Sequence, residues 1–269
     1  MQGSSGESLA RLAEALGSAI SGGADGATLA DSLFAAADVL REQPALRRAA
    51  TDPSSPAAAK SGLAKGLFAQ HLDPQATDLV VDAVTMRWAR SGDLAAALEQ
   101  LAVIALVKAA DAAGEGDRLE GELFTFGRAV ADNPALRDGL SDPARSVADK
   151  QALVRSLLEG RTSAGTLRLA QRAVTGVHLT VARALDDYSK VAAESRNRLV
   201  ALVRAAHPLD QGELDRLSSV LSDQYDRPVH LNVVLDRSLL GGVRVEIGDQ
   251  VIDGTISTRL DDARRRLVG

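Results

Sequence analysis

A stretch of this chain occurs twice. Pro44-Ala45-Leu46-Arg47 recurs as Pro134-Ala135-Leu136-Arg137, a displacement of 90 residues. The same displacement carries Leu33-Phe34 onto Leu123-Phe124, Asp52-Pro53 onto Asp142-Pro143, Lys60 onto Lys150, Leu63 onto Leu153 and Leu67 onto Leu157, without a gap. Self-similarity held in one register marks a duplicated structural unit, and a period of 90 is a whole small domain rather than a solenoid repeat. The fold has to accommodate two similar bodies in tandem.

Each body reads as a set of amphipathic helices. Leu9, Leu12, Leu16 and Ile20 recur at helical spacing, Gly22-Gly23 breaks the pattern, and a second helix is expected from about Thr28 to Gln43. Pro44 ends it, because proline lacks the amide donor and restricts the residue before it. Ser55-Pro56 and Asp73-Pro74 each place a capping residue before a proline at the first helical position, the latter opening a long helix to about Arg90. Ser91-Gly92-Asp93 opens another to about Ala113, which by the 90-residue offset both closes the first copy and starts the second. Helices are then expected near 117–133, 147–159, 163–176 and 178–195. Gly3-Ser4-Ser5-Gly6 reads as an appended polar segment without functional weight.

Alanine and leucine dominate while aromatics are only 3% of 269 residues, so the core is expected to consist of thin helices packed through small side chains. Trp88 is placed in the core of the first bundle. A net charge of −5 excludes a general nucleic-acid binder, which needs a basic face. With no cysteine there is neither a disulfide framework nor a thiolate metal site. The longest strongly apolar run, Leu101 to Val107, is too short to cross a bilayer, and MQGSSGESLA lacks the features of a signal peptide, so a soluble protein is expected.

After Arg196 the periodicity changes. Leu199 to Val203 suits a buried strand, Asp210 caps a helix with Leu214, Leu217 and Leu221 on one face, and Val229 to Leu235 is a second strand. Val233–Leu235 and Val243–Ile247 read as arms of a β-hairpin, with Gly248-Asp249 as a turn and Asp253-Gly254 breaking the chain before a closing helix from Thr255. The fold class is therefore mainly α: two tandem helical bundles, 1–92 and 93–196, followed by a small α/β domain with a β-hairpin, 197–269.

Catalytic motifs are not assembled. His71, His178, His207 and His230 are scattered without metal-ligand spacing. Asp186-Asp187 and Asp261-Asp262 are neighbours that diverge by about 100° on a helix and read as solvated faces. Gly241-Gly242 has neither GxGxxG spacing nor a GK[ST] ending, and reads as a bend or bulge. Arg264-Arg265-Arg266 suits a helix C-terminus. No enzyme activity and no cofactor are expected.

The C-terminal series resembles one family closely, the delta subunit of bacterial ATP synthase, which is similar to the mitochondrial oligomycin-sensitivity-conferring protein. Its pattern is an acid ending a strand, a GG pair, a GD turn and I-D-G leading into a helix with arginine and leucines. Here these are Asp236, Gly241-Gly242, Gly248-Asp249, Ile252-Asp253-Gly254, Arg259, Leu260 and Leu267. Arg237 stands where proline is usual and Thr255 where serine is usual. A second copy of the helical domain, which most members carry once, is a further departure.

The resemblance implies a non-catalytic peripheral-stalk (stator) subunit of the rotary proton-translocating ATP synthase, at the cytoplasmic face of the cell membrane and reaching the membrane only through partners. It implies that a helical domain holds the N-terminal segments of the alpha subunits in grooves between its helices, an amphipathic helix laid into an apolar groove. The C-terminal domain would meet the C-terminus of the b subunit. Copy two adjoins that domain, so the groove candidates are taken from its first and fifth helices: Val103, Leu106 and Ala110 with Leu169, Ala173 and Val177. Gly241, Gly242, Asp253 and Gly254 are the C-terminal candidates. An unrelated cytosolic helical adaptor leaves the GG, GD and IDG series unexplained. A small-ligand enzyme would need titratable groups converging on the hairpin, for which only Asp236, Asp249 and Asp253 are available.

Overall fold

The computed structural model describes residues 3–175, 177–196, 199–239, 241–247 and 250–253. The turn at 248–249, Gly254 and the closing helix expected from Thr255, with Arg259, Leu260 and Leu267, lie outside the described residues. The chain forms two compact units, Met1–Val191 and Ala192–Gly269. Both copies of the repeat fall within the first.

Eleven helices are described across the first unit and its end: α1 (Gly3–Ser21), α2 (Gly26–Glu42), α3 (Pro44–Thr51), α4 (Ala57–Phe68), α5 (Pro74–Thr85), α6 (Ser91–Ala112), α7 (Gly116–Asp132), α8 (Pro134–Ser141), α9 (Val147–Leu158), α10 (Ala164–Ala173) and α11 (Val181–Ser195). Their starts follow the punctuation in the sequence. Asp25 and Asp73 accept amide hydrogens at the N-termini of α2 and α5, Ser146 and Ser163 do so at α9 and α10, and Pro44, Pro74 and Pro134 occupy the first turn of their helices.

The 90-residue register extends to individual hydrogen bonds. The Asp73 amide donates to Ser32 Oγ at 3.2 Å, and at the equivalent positions the Ser163 amide donates to Glu122 Oε2 at 2.8 Å. Asp52 Oδ1 accepts from the Ser54 amide and Asp142 Oδ1 from the Ala144 amide, both at 2.8 Å. The copies are thus alike in how they turn as well as in which residues they bury.

α6 is the centre of the unit. It packs on α1, α2, α3 and α5 from the first copy and on α7 and α10 from the second, and Leu94, Leu98, Leu101, Val103 and Val107 are fully buried. An alanine- and leucine-rich helix suits this position because it can be approached from all sides. The closest approach is made by α2, where a Cβ placed on Gly26 would lie 2.7 Å from the Ala105 carbonyl oxygen.

Several expectations are corrected in detail. α5 ends at Thr85 rather than near Arg90, because residues 87–89 are held by α1: Ser8 Oγ donates to the Arg87 carbonyl and the Ala89 amide donates to Ser5 Oγ. Ser5 is itself buried and donates to Asp93 Oδ2 at the start of α6, so the GSSG segment is part of the fold. Trp88 is half-buried at the end of this strap rather than in the core, its indole N–H donating to the Ala83 carbonyl at 2.8 Å.

The second unit contains β1 (Leu199–Ala205), α12 (Gln211–Tyr225), β2 (Val229–Leu235), β3 (Val243–Ile247) and β4 (Gln250–Asp253). The sheet order is β2-β1-β3-β4, with β1 parallel to β2 and antiparallel to β3. The expected pairing of 233–235 with 243–247 is therefore interrupted: β1 lies between them, and β3 pairs instead with β4, a strand that the sequence pattern does not announce. Ala201, Val203 and Ala205 alternate along β1 and are fully buried, which favours the central position for this strand. α12 opens with a capping box of Asp210 and Glu213, and Leu217 and Leu221 pack onto the cluster of Ala201, Val203, Val229, Val245 and Ile247.

Gly26→Val is expected to push α2 from α6 and lower stability by about 1–3 kcal/mol. Gly121→Ala, in a helix with open space around it, is expected to raise stability slightly. Thermal melts of the two variants, read by circular dichroism, should move in opposite directions.

Candidate functional site

Four charged side chains and a phenol meet where the two copies join. The Arg172 guanidinium of α10 donates to both carboxylate oxygens of Asp38 on α2, at 2.6 and 2.7 Å, and to both oxygens of Glu99 on α6, at 2.5 to 3.2 Å. Tyr188 Oη of α11 donates to Glu99 Oε1 at 2.6 Å, and Arg41 donates to Glu99 Oε2 at 2.9 Å. The Arg172 guanidinium carbon also lies 4.6 Å from the centre of the Phe34 ring. Glu99, Arg172 and Tyr188 are buried, while Asp38 and Arg41 stand nearer the edge.

Burial opposes ionisation of Glu99, but the hydrogen bond and charge of Arg172, with Tyr188 and Arg41, outweigh it and hold the carboxyl below the ordinary glutamate range. Burial likewise disfavours the Arg172 cation, and the carboxylates of Asp38 and Glu99 more than compensate, raising its value further. Burial and the Glu99 charge together push the Tyr188 phenol up. Glu99 and Arg172 are thus each held in the charged form by the other, with the Tyr188 phenol as a neutral donor.

Beside this cluster a cleft of about 450 Å³ opens between α2, α9 and α10. Asp31, Phe34, Asp38, Val147, Arg168 and Val177 are among the residues that line it. Arg168 and Asp31 form an ion pair across it at 3.5 Å. Val147 is 43% exposed, an apolar side chain left at the mouth.

Of the six groove positions taken from the sequence, Val103, Leu106, Ala110, Leu169 and Ala173 are buried inside the first unit. Val177 is half-buried and lines the cleft. In the second unit Gly242 has φ 80°, in the left-handed region that glycine accepts without steric cost, which accounts for the GG pair as a bend before β3. Asp236 closes β2: its amide donates to the Ala205 carbonyl, and its carboxylate accepts from the Ser238 hydroxyl and amide, which hold its value down. Asp253 pairs in register with Arg244 at the end of β4. Gly254 lies outside the described residues.

The ionic cluster is not among the features expected from the sequence. One signal was present: Glu99 interrupts the most apolar helix of the chain, between Leu98 and Leu101, and a carboxylate there needs a buried partner. Its partner lies 73 residues away, and Asp38, Glu99 and Arg172 have no like-charged equivalents at the 90-residue offset.

The buried polar chemistry of the first unit joins helices to one another, and the second unit presents a small mixed sheet backed by one helix. Fold and site together define a helical scaffold protein. The family model described as the ATP synthase delta (OSCP) subunit matches residues 103–267. The chain is similar to ATP synthase subunit delta of Nocardioides sp., 51% identical over 90% of this chain and 88% of that protein. It is also similar to the delta subunits of Streptomyces avermitilis, 47% identical over 89% and 88%, and Streptomyces coelicolor, 42% identical over 99% and 98%. A chain of the Toxoplasma gondii mitochondrial ATP synthase hexamer is similar at 21% identity and a TM-score of 0.35, over 62% of this chain and 95% of that one. This chain belongs to the ATP synthase delta (OSCP) subunit family, whose members are non-catalytic subunits of the ATP synthase. No described helix is long and apolar enough to cross a membrane. The alignment with the Streptomyces coelicolor protein spans the first copy as well, so the added helices are not peculiar to this chain.

Glu99→Gln is expected to destabilise the first unit by about 3–5 kcal/mol, because it leaves the buried Arg172 short of a carboxylate. The sign with pH follows from the lowered value of Glu99. Its contribution is complete above the ordinary glutamate range and is lost as pH falls through the lowered value. Denaturant titrations from pH 7 to pH 3 should therefore show a weaker acid dependence for Glu99→Gln than for the parent chain.

Proposed function

We propose that this chain is a peripheral-stalk (stator) subunit that ties the catalytic head of the ATP synthase to its membrane-anchored stalk, so that the head does not turn with the rotor. The observation that carries this reading is the extent of the family match. It begins at Val103, inside α6, and runs through the second copy and the C-terminal unit. The second copy is therefore the part comparable to the family's helical domain, and it is the one to which we assign the N-terminal segments of the alpha subunits.

The geometry refines where such a segment would dock. Five of the six groove candidates are core, so the contact is centred on the open cleft lined by Val147, Thr175 and Val177. An amphipathic helix laid there would cover Val147 and the Phe34 edge with its apolar face. The C-terminal end of the b subunit is assigned to the C-terminal unit of this chain. Peripheral placement at the cytoplasmic face of the cell membrane follows from these partners.

Val177→Asp in the full chain is expected to weaken binding of an alpha N-terminal peptide about tenfold or more, with little change in thermal stability. Calorimetric titration checks this: equal affinity for parent and variant removes the cleft from the interface, and no binding by the parent sinks the docking reading.

Gly242→Val places a β-branched residue at φ 80° and is expected to destabilise the C-terminal unit by about 1–2 kcal/mol. It should reduce retention of the b subunit in pull-downs while the α6-centred unit melts as before. Undiminished retention would detach this bend from the b interface.

A further inference from the structure

The first copy carries a helix face that is more apolar and more exposed than its counterpart in the second copy. Along α4, Ala59, Gly62, Leu63, Gly66 and Leu67 form one stripe at helical spacing, and all five are exposed. Leu63 and Leu67 are 37% and 40% exposed. The equivalent leucines of α9, Leu153 and Leu157, are half-buried. At the same register, α9 has Asp149, Ala152 and Ser156 where α4 has Ala59, Gly62 and Gly66. An acid and two further side chains are therefore missing from this one face.

The two glycines have no packing explanation among the described residues. A Cβ on Gly62 or Gly66 would meet nothing within 4 Å, and each glycine costs a helix interior about 1 kcal/mol relative to alanine. Small residues beside leucines make a notch into which a second helix can settle, as when closely packed helices bring their backbones together.

Charge indicates what kind of helix this would be. Residues 44–71 hold Arg47, Arg48, Lys60 and Lys65 against Asp52 alone, in a chain of net charge −5. The corresponding 134–161 holds five cationic side chains against four carboxylates. Lys60 is 7% exposed and next to the leucines on the helical wheel, yet it makes no ion pair or hydrogen bond with a described residue, its charge being felt by Asp52. Lys65 flanks the stripe on the other side. The Lys60 stem is buried against the helix while no carboxylate among the described residues bonds its ammonium, so Lys60 and Lys65 together favour an arriving carboxylate.

We propose that the α4 face of the first copy is a docking surface for an acidic amphipathic helix of another protein, its small apolar stripe seated on Gly62, Leu63, Gly66 and Leu67 and its carboxylates reaching Lys60 and Lys65. This face is separate from the cleft between α2, α9 and α10, and the proposal holds whichever segment occupies that cleft. The extra copy is then a second attachment point.

The test uses the whole chain within its purified ATP synthase, with a photo-crosslinking residue at position 63 and, as a control, at the 99% exposed Leu179. Position 63 is expected to crosslink to an acidic, helical segment of another subunit, mapped by mass spectrometry, and position 179 is not. In the same complex, Lys60→Gln with Lys65→Glu should lower the yield at 63 about tenfold, an effect that a purely apolar contact would not show. Leu67→Glu should do the same with only a small shift in the thermal melting of the isolated chain, since the side chain is 40% exposed. No crosslink at 63 above the control overturns the proposal, as does one to lipid, to a second copy of this chain, or to a basic or extended segment.

Discussion

The ionic cluster around Arg172 is the interaction on which the arrangement of the first unit rests. A guanidinium between two carboxylates is favourable in a protein interior only when its geometry satisfies nearly every donor, because desolvation otherwise exceeds the Coulombic gain. Here Nε, Nη1 and Nη2 all find oxygens, with two bonds to Asp38 and three to Glu99. Those partners come from α2 and α6 while Arg172 stands on α10, so satisfying the charge requires the helices of both copies to be in register together. Apolar contact along α6 supplies attraction without direction. The cluster supplies the direction, and Tyr188 extends it to α11.

How much of this was legible varied with the range of the interaction. Local signals read well: Asp25, Asp73 and Ser163 cap helices, prolines open them, and the 90-residue register reappears in paired bonds such as those of Ser32 and Glu122 to the starts of α5 and α10. The doubled role of α6 was likewise visible in the offset. What failed depended on distant partners. α5 stops early because Ser5 and Ser8 claim the backbone after it, and nothing in residues 86–90 announces serines some eighty positions upstream. Asp38 and Arg172 individually resemble ordinary surface charges until the helices are brought together, and Glu99, conspicuous in its apolar helix, does not reveal which cation meets it.

The C-terminal unit shows the same division. The motif Asp236, Gly241-Gly242 reads as backbone chemistry, and the turn at Asp236 and the positive φ at Gly242 are of that kind. Strand order was a different matter. Alternation in β2 and β3 says which face is buried, but both neighbours of a central strand present the same alternation. The pairing of β1 with both β2 and β3 shows that it lies between them, and the full burial of Ala201, Val203 and Ala205 agrees with that central place. In the helical unit the groove candidates rest on the family resemblance and on the copy that adjoins the C-terminal domain, and apolar residues on those helices do not by themselves distinguish a face that meets a partner from one that meets its own chain.

The placement of Glu99 on the helix shared by both copies has a consequence for the history of the gene. Tandem repeats are commonly lost by recombination in register, which would here join a residue of the first copy to the one following its equivalent in the second and delete 90 residues. Any such event between positions 33 and 67, where the repeat is recognisable, removes α6 and Glu99 with it but keeps Arg172. The shortened chain would hold a guanidinium without its central carboxylate. The two copies, alike in sequence register, are thus not interchangeable: three unrepeated charges tie them into one body.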